Sequence, residues 1–127
     1  MQPRRVKIYF DGGCRPNPGR MEAAVVVRGV VHLFEDMGQG GSFEAEWLAL
    51  LHAARLARES NLGEVVLLGD ARAVIGEAQR ALAGDPGSGP YAARLCELAQ
   101  DGPRLRPRWI KREQNLAGIA LARRHPR

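Results

Sequence analysis

Cysteine is scarce in this chain of 127 residues. Cys14 and Cys96 stand far apart and without a metal-ligand spacing. Two isolated cysteines make no disulfide framework and no zinc site, so free thiols in a reducing compartment are the expectation. No apolar stretch approaches the roughly 20 residues that a membrane span needs. Met1-Gln2-Pro3-Arg4-Arg5 runs directly into an alternating pattern and offers no apolar signal core. A cytoplasmic protein without a membrane partner is therefore expected. Internal repeats, linkers and low-complexity segments are also missing, and the whole length, 1–127, reads as one domain. Lysine is nearly absent. Of 19 basic side chains all but Lys7 and Lys111 are arginine, and the formal charge is +5. The planar guanidinium matches phosphate bidentately, so the basic surface suits an anionic partner. Coding bias or heat adaptation would give the same excess.

Apolar residues make up 45% of the chain, enough for a core without staples. Val6, Ile8 and Phe10 alternate with Lys7, Tyr9 and Asp11, the period of a half-buried strand. Asp11 stands at its end, and Gly12-Gly13 breaks it. Residues 23–27 and 30–34 read as two further strands joined by Arg28-Gly29 as a tight turn. Gly38 to Ser42 is a loop, with Ser42 as a helix cap. A helix over 43–58 carries an apolar stripe of Trp47, Leu50, Leu51, Ala54 and Leu56. Residues 65–68 form an apolar run suited to a strand buried on both faces. Helices follow over 71–82 and 91–98, a strand over 105–110 and a last helix over 116–124. The predicted fold is α/β: a five-stranded mixed sheet, a three-strand meander plus two parallel strands, with helices on both faces. A right-handed crossover sets the fourth strand parallel to the first and brings Asp11 beside Asp70.

Three acids can converge in such a fold: Asp11, Glu46 in the first turn of the long helix, and Asp70. Like charges held close call for a cation, and hard oxygen donors suit Mg2+ or Mn2+. Each acid also has a plainer reading. Asp70 can cap the following helix, Glu46 can answer the helix dipole, and Asp11 can belong to a turn.

The motifs around these acids carry a resemblance. Asp11-Gly12-Gly13-Cys14-Arg15-Pro16-Asn17-Pro18-Gly19 is very similar to the first-strand motif of the ribonuclease H family. Ala45-Glu46-Trp47-Leu48-Ala49-Leu50 resembles its Ala-Glu helix motif. Leu68-Gly69-Asp70-Ala71 resembles its Gly-Asp-Ser strand end. Asn115, running on to Leu121-Ala122-Arg123, resembles its C-terminal segment. The resemblance implies the ribonuclease H fold, cleavage of the RNA strand of an RNA/DNA hybrid, and divalent metal held by Asp11, Glu46 and Asp70 as catalytic residues. It places Gly12, Gly13, Cys14, Asn17, Arg112 and Asn115 at the substrate, with Asn17 approaching the backbone or a 2′-hydroxyl.

The same alignment exposes departures. The family's fourth Asp falls on Ile119, which cannot bind metal. Glu113 is the nearest acid upstream and reads as a solvated loop residue. The paired Asn residues before the Ala-Glu motif are replaced by Ser42 and Phe43, and the Ser after the third acid by Ala71. His32, His52 and His125 read as non-catalytic. An attenuated, manganese-favouring ribonuclease H, a non-cleaving nucleic-acid-binding module, and a nuclease for another nucleic acid all fit this pattern. Arg104, Arg106 and Arg108 alternate before Trp109, and Lys111, Arg112, Arg123, Arg124 and Arg127 follow. They can track phosphates or simply be solvated. Trp109 reads as core rather than as a stacking platform.

Overall fold

The computed structural model describes residues 5–85, 87 and 89–125. Arg127, counted above among the basic tail, lies outside them. The described elements are β1 (Arg5–Arg15), β2 (Gly19–Val27), β3 (Val30–Phe34), β4 (Gln39–Gly40), α1 (Ser42–Glu59), β5 (Glu64–Gly69), α2 (Arg72–Leu82), α3 (Pro90–Ala99), β6 (Arg104–Trp109) and α4 (Leu116–Arg123), with a 3-10 turn at Arg112–Gln114 before α4. The sheet order is β3-β2-β1-β5-β6, with β4 added beside β2. β1, β2 and β3 form the antiparallel meander. β5 and β6 run parallel to β1. The mixed sheet is as expected, enlarged by the two-residue β4 in the glycine-rich loop.

Burial follows the alternation. Val6, Ile8 and Phe10 of β1 join Ala23, Val25, Val65 and Leu67 beneath α1, α2 and α3. Ala24 and Val26 face the other way and pack on Ala117 and Leu121 of α4. Tyr9 and Asp11 are on that second face by the same period. Both faces of the sheet thus carry helices. The β1–β5 pairing ends at Tyr9–Leu68, so Asp11 and Asp70, each two residues further on, stand level beyond that pairing.

Several local expectations are corrected. β1 does not stop at Asp11. It continues through Gly12-Gly13 to Arg15, because β2, which starts at Gly19 rather than Ala23, pairs with it over that length. Ser42 is not the α1 cap: Gly41 holds that position, with no side-chain hydrogen bond. Since α1 starts at Ser42, Glu46 lies in the second turn, where the dipole reading loses its force. The buried face of α1 is built on alanines, Ala45, Ala49, Ala53, Ala54 and Ala57, around Trp47 and Leu50, while Leu51 and Leu56 are only half-buried. Small residues there let α1 lie close on the sheet. Val66 is half-buried, so β5 is not covered on both faces throughout. Trp109 is 36% exposed and is not core. The Arg72 guanidinium lies over its ring at 3.7 Å, and its Nε1 donates to the Asp70 carbonyl at 3.1 Å. Within the arginine row of β6, Arg106 is engaged by Glu64 at 2.7 Å, and the same carboxylate oxygen lies 3.2 Å from Arg5.

Candidate metal and nucleic-acid site

The pairing of β1 with β5 ends just before Asp11 and Asp70, and α1 crosses above it. The approach is closest at Gly12, where an added Cβ would come 2.1 Å from the Ala45 carbonyl oxygen. Only glycine lets α1 lie so near, and that contact brings Glu46 over the strand. The Gly12 N–H donates to Glu46 Oε1. Gly69 serves β5 in the same way, because a Cβ there would meet the Phe10 ring at 2.4 Å. Two glycines therefore close the spacing that makes three acids neighbours. Asp11, Glu46 and Asp70 each offer a carboxylate oxygen, all within 4.8 Å of one another.

Electrostatics express the crowding. Burial raises the Asp11 carboxyl to about 6, with the Asp70 charge adding to it and Glu46 and Arg112 opposing. Burial raises Glu46 to about 9, helped by the Asp11 charge and opposed by the Gly12 N–H. Without a cation, Glu46 keeps its proton at neutral pH. Asp70 does not cap α2. The cap position is Ala71, without a side-chain bond, and the Asp70 Oδ2 accepts from Asn115 Nδ2 at 2.9 Å. The plain readings of Asp70 and Glu46 thus fail on geometry. The donor set fits a divalent cation: hard oxygens from three carboxylates, two of them held in a state that positive charge would relieve.

The acids line an open cleft of about 1040 Å³. Gly12, Gly13, Cys14 and Arg112 line it too, as do Arg72, Glu22, Glu113, Gly118 and Ile119. Asn17 stands at the side. Its Oδ1 accepts from Cys14 Sγ at 3.3 Å, and its Nδ2 donates to Ser42 Oγ at 3.4 Å. The substrate-contact expectation for Asn115 does not fit its burial, for it is wholly inaccessible. Its amide donates to the Phe10 carbonyl at 3.0 Å as well as to Asp70, and its Oδ1 accepts from the Ala117 N–H at 3.1 Å as the N-cap of α4. Asn115 ties β1, Asp70 and α4 together from behind the cleft. Asn directly before a helix is a capping signal, and that signal was available in the sequence.

Ile119 is 38% exposed and faces the cleft rather than the core. Its neighbour Gly118 sits so near Asp11 that an added Cβ would lie 3.5 Å from Oδ2. Glu113 is exposed, in the 3-10 turn. Of the histidines, His52 stacks on Phe34 at 3.9 Å, and burial lowers its pKa. His125 Nε2 lies 2.6 Å from Glu22 Oε1. Arg72 belongs to the cleft although nothing in the residues around it marked it out. Only its place in the first turn after Asp70 was a hint.

Comparison with known proteins agrees with this geometry. A family model described as reverse transcriptase-like matches residues 9–125. EbsB of Enterococcus faecalis, a protein classed provisionally as a hydrolase, is 28% identical over 123 residues, which are 93% of this chain and 91% of EbsB. Among solved structures, ribonuclease H1 of the halophilic archaeon Halobacterium salinarum superposes with a TM-score of 0.75 at 23% identity, covering 93% of this chain and 94% of that one. The N-terminal ribonuclease H domain of Rv2228c from Mycobacterium tuberculosis gives 0.69 at 22% identity, covering 96% and 99%. LC11 ribonuclease H1, solved in complex with an RNA/DNA hybrid, gives 0.67 at 25% identity over 87% and 88%. The chain therefore belongs to the reverse transcriptase-like family and has the ribonuclease H fold.

Proposed function

We propose that this chain is a divalent-metal-dependent nuclease that binds an RNA/DNA hybrid and hydrolyses its RNA strand, at a rate reduced by Ile119. The observation that carries the reading is the convergence of Asp11, Glu46 and Asp70 within 4.8 Å at the floor of an open cleft. These three residues would hold Mg2+ or Mn2+, which when bound polarises a phosphodiester and lowers the pKa of water. Asp11 interacts with both of the others: the Asp70 charge raises its carboxyl and Glu46 lowers it. Glu46 is set by the Gly12 N–H and Asp70 by Asn115. Arg72 and Arg112 line the cleft and would neutralise phosphate near the acids. Gly13 and Cys14 line the cleft where the sugar-phosphate backbone would lie, with Asn17 beside Cys14. The LC11 protein's complex with a hybrid supports that substrate class.

A specific observation favours a second reading, a nucleic-acid-binding module that does not cut. Where the family carries a fourth carboxylate, an isoleucine faces the cleft, so ligands remain mainly for one ion. A labelled hybrid, a duplex RNA and a single strand, each with Mg2+ or Mn2+, separate the readings. Cleavage of the RNA strand of the hybrid, abolished in Asp11→Asn purified identically, is the expected result. Salt-sensitive binding without cleavage in either metal establishes the second reading. Cleavage that persists in the variant marks a contaminating nuclease.

A further inference from the structure

We propose that Trp109 is a positioning residue for substrate binding: its ring holds the Arg72 guanidinium flat in the cleft, with the N–H donors left free for a phosphate of the nucleic acid. The inference deepens the proposed function and rests on it, since it takes the occupant of the cleft to be a nucleic-acid strand.

Arg72 stands where local forces do not favour it. It is the first residue of α2, and a cation at a helix N-terminus opposes the dipole. Among the described residues no ion pair and no side-chain hydrogen bond uses its guanidinium. What it has is the Trp109 ring, with 3.7 Å between the guanidinium carbon and the ring centre. At that separation the two planes stack face to face, because an edge-on guanidinium would hold its carbon further out. Stacking through the face spends no donor, since the N–H groups lie in the guanidinium plane. Arg55 makes the contrast. It lies 5.8 Å from the Phe34 ring centre, and it gives its donors to Glu59. Arg72 is held, yet its donors are unspent.

The ring is itself fixed. Trp109 pairs with Gly69 at the end of β6, and its Nε1 donates to the Asp70 carbonyl at 3.1 Å. The indole cannot turn without breaking that bond, so the platform under Arg72 is tied to the main chain of a metal-site acid. Arg72 lines the cleft together with Asp11, Glu46 and Asp70, whereas Trp109 stands outside that lining. The indole therefore acts on a substrate only through the guanidinium.

The effect is preorganisation. A free arginine side chain loses rotamer freedom when it grips a phosphate, and a stacked one has already lost it on folding. Taking the ring away leaves the charge but not its placement. These two are separable, because the salt dependence of affinity counts phosphates neutralised and not how rigidly the cation is held.

The test is the affinity for a labelled RNA/DNA hybrid by fluorescence anisotropy, in chelator so that nothing is cut, over a range of salt. Trp109→Leu is expected to weaken binding about three- to tenfold, the scale of ordering one long side chain, with its salt slope unchanged. Trp109→Phe keeps a ring without the N–H and is expected to retain most of the affinity. Arg72→Ala should weaken binding and lower the salt slope by about one. In the Arg72→Ala background, Trp109→Leu should have no further effect. Arg72→Lys keeps the charge but cannot stack flat, so it should match Trp109→Leu, and it repeats the test should circular dichroism show that variant unfolded. Manganese affinity reads the indole's other tie. Trp109→Phe and Trp109→Leu lose the bond to Asp70 alike, so any change there should be equal in both. Hybrid binding by Trp109→Leu and Arg72→Lys at the wild-type affinity overturns the proposal. So do equal losses in Trp109→Phe and Trp109→Leu, or a Trp109→Leu loss undiminished by Arg72→Ala. Each of these leaves the proposed function standing, whereas a wild type that binds no hybrid overturns both.

Discussion

Asp11 and Glu46 are poised by being crowded, and this has a measurable sign. Folding raises their carboxyl groups from 3.8 and 4.5 to about 6 and about 9, in both cases first by burial. Over that window the metal-free folded chain holds protons that the unfolded chain has lost, so stability falls as pH rises from about 4 toward 9. In chelator, thermal unfolding should occur at a higher temperature at pH 5 than at pH 8, and Glu46→Gln should flatten the dependence by about 1 kcal/mol or more. A wild-type midpoint rising over the same range contradicts the assignment. Ile119 is the other single-residue test. It faces the cleft beside Gly118 and Asp11, so Ile119→Asp adds a carboxylate where the resemblance to the ribonuclease H family implies one. Cleavage of a hybrid should rise about tenfold or more, the usual scale for one charged group acting on a transition state. An unchanged rate means that another group already fills the role. The sequence made these acids legible because each sits beside a glycine or alanine motif of unusual specificity. It misplaced Asn115, because a buried cap and a substrate contact can look alike in one dimension, and only the 0% exposure separates them. Trp109 departs from its expected burial for a related reason. A tryptophan's apolar bulk argues for burial, whereas here Arg72 covers one face of the ring and leaves the side chain partly open.

Elements explain why the acids meet. β1 and β5 bring Asp11 and Asp70 level, and α1 delivers Glu46 only because Gly12 admits it. Gly12→Ala must push α1 away from the Ala45 carbonyl, and is expected to destabilise the protein by about 2–3 kcal/mol, as overpacked sites do. Metal affinity should be lost along with it, read by thermal denaturation and manganese titration. Gly13→Ala is the control, since its nearest neighbour would be the Leu121 side chain at 3.9 Å, and its stability should change little. At this scale the alternation of β1, the hairpin at Arg28-Gly29 and the helices over 72–82 and 90–99 were all readable from period and turn chemistry. Ends of elements were not. Gly12-Gly13 read as a break, yet pairing with β2 carried the strand through it, a tertiary effect that local propensity does not contain. β4 escaped notice because two residues in a glycine-rich loop have no period of their own.

The whole molecule joins a basic exterior to an acidic pit. The formal charge of +5 attracts a polyanion, while the cleft floor repels one until a cation intervenes. Binding to a hybrid should therefore weaken steeply with added salt and strengthen with Mn2+. Among the described residues no helix is long and apolar enough to cross a membrane. The most direct test of the account is a manganese titration of the intact protein near pH 8, by calorimetry and by thermal denaturation, beside Asp11→Asn. A saturable site that raises the unfolding temperature of the wild type and is missing from the variant is the predicted outcome. Absence of any saturable binding to the wild type, or equal binding to Asp11→Asn, would contradict it.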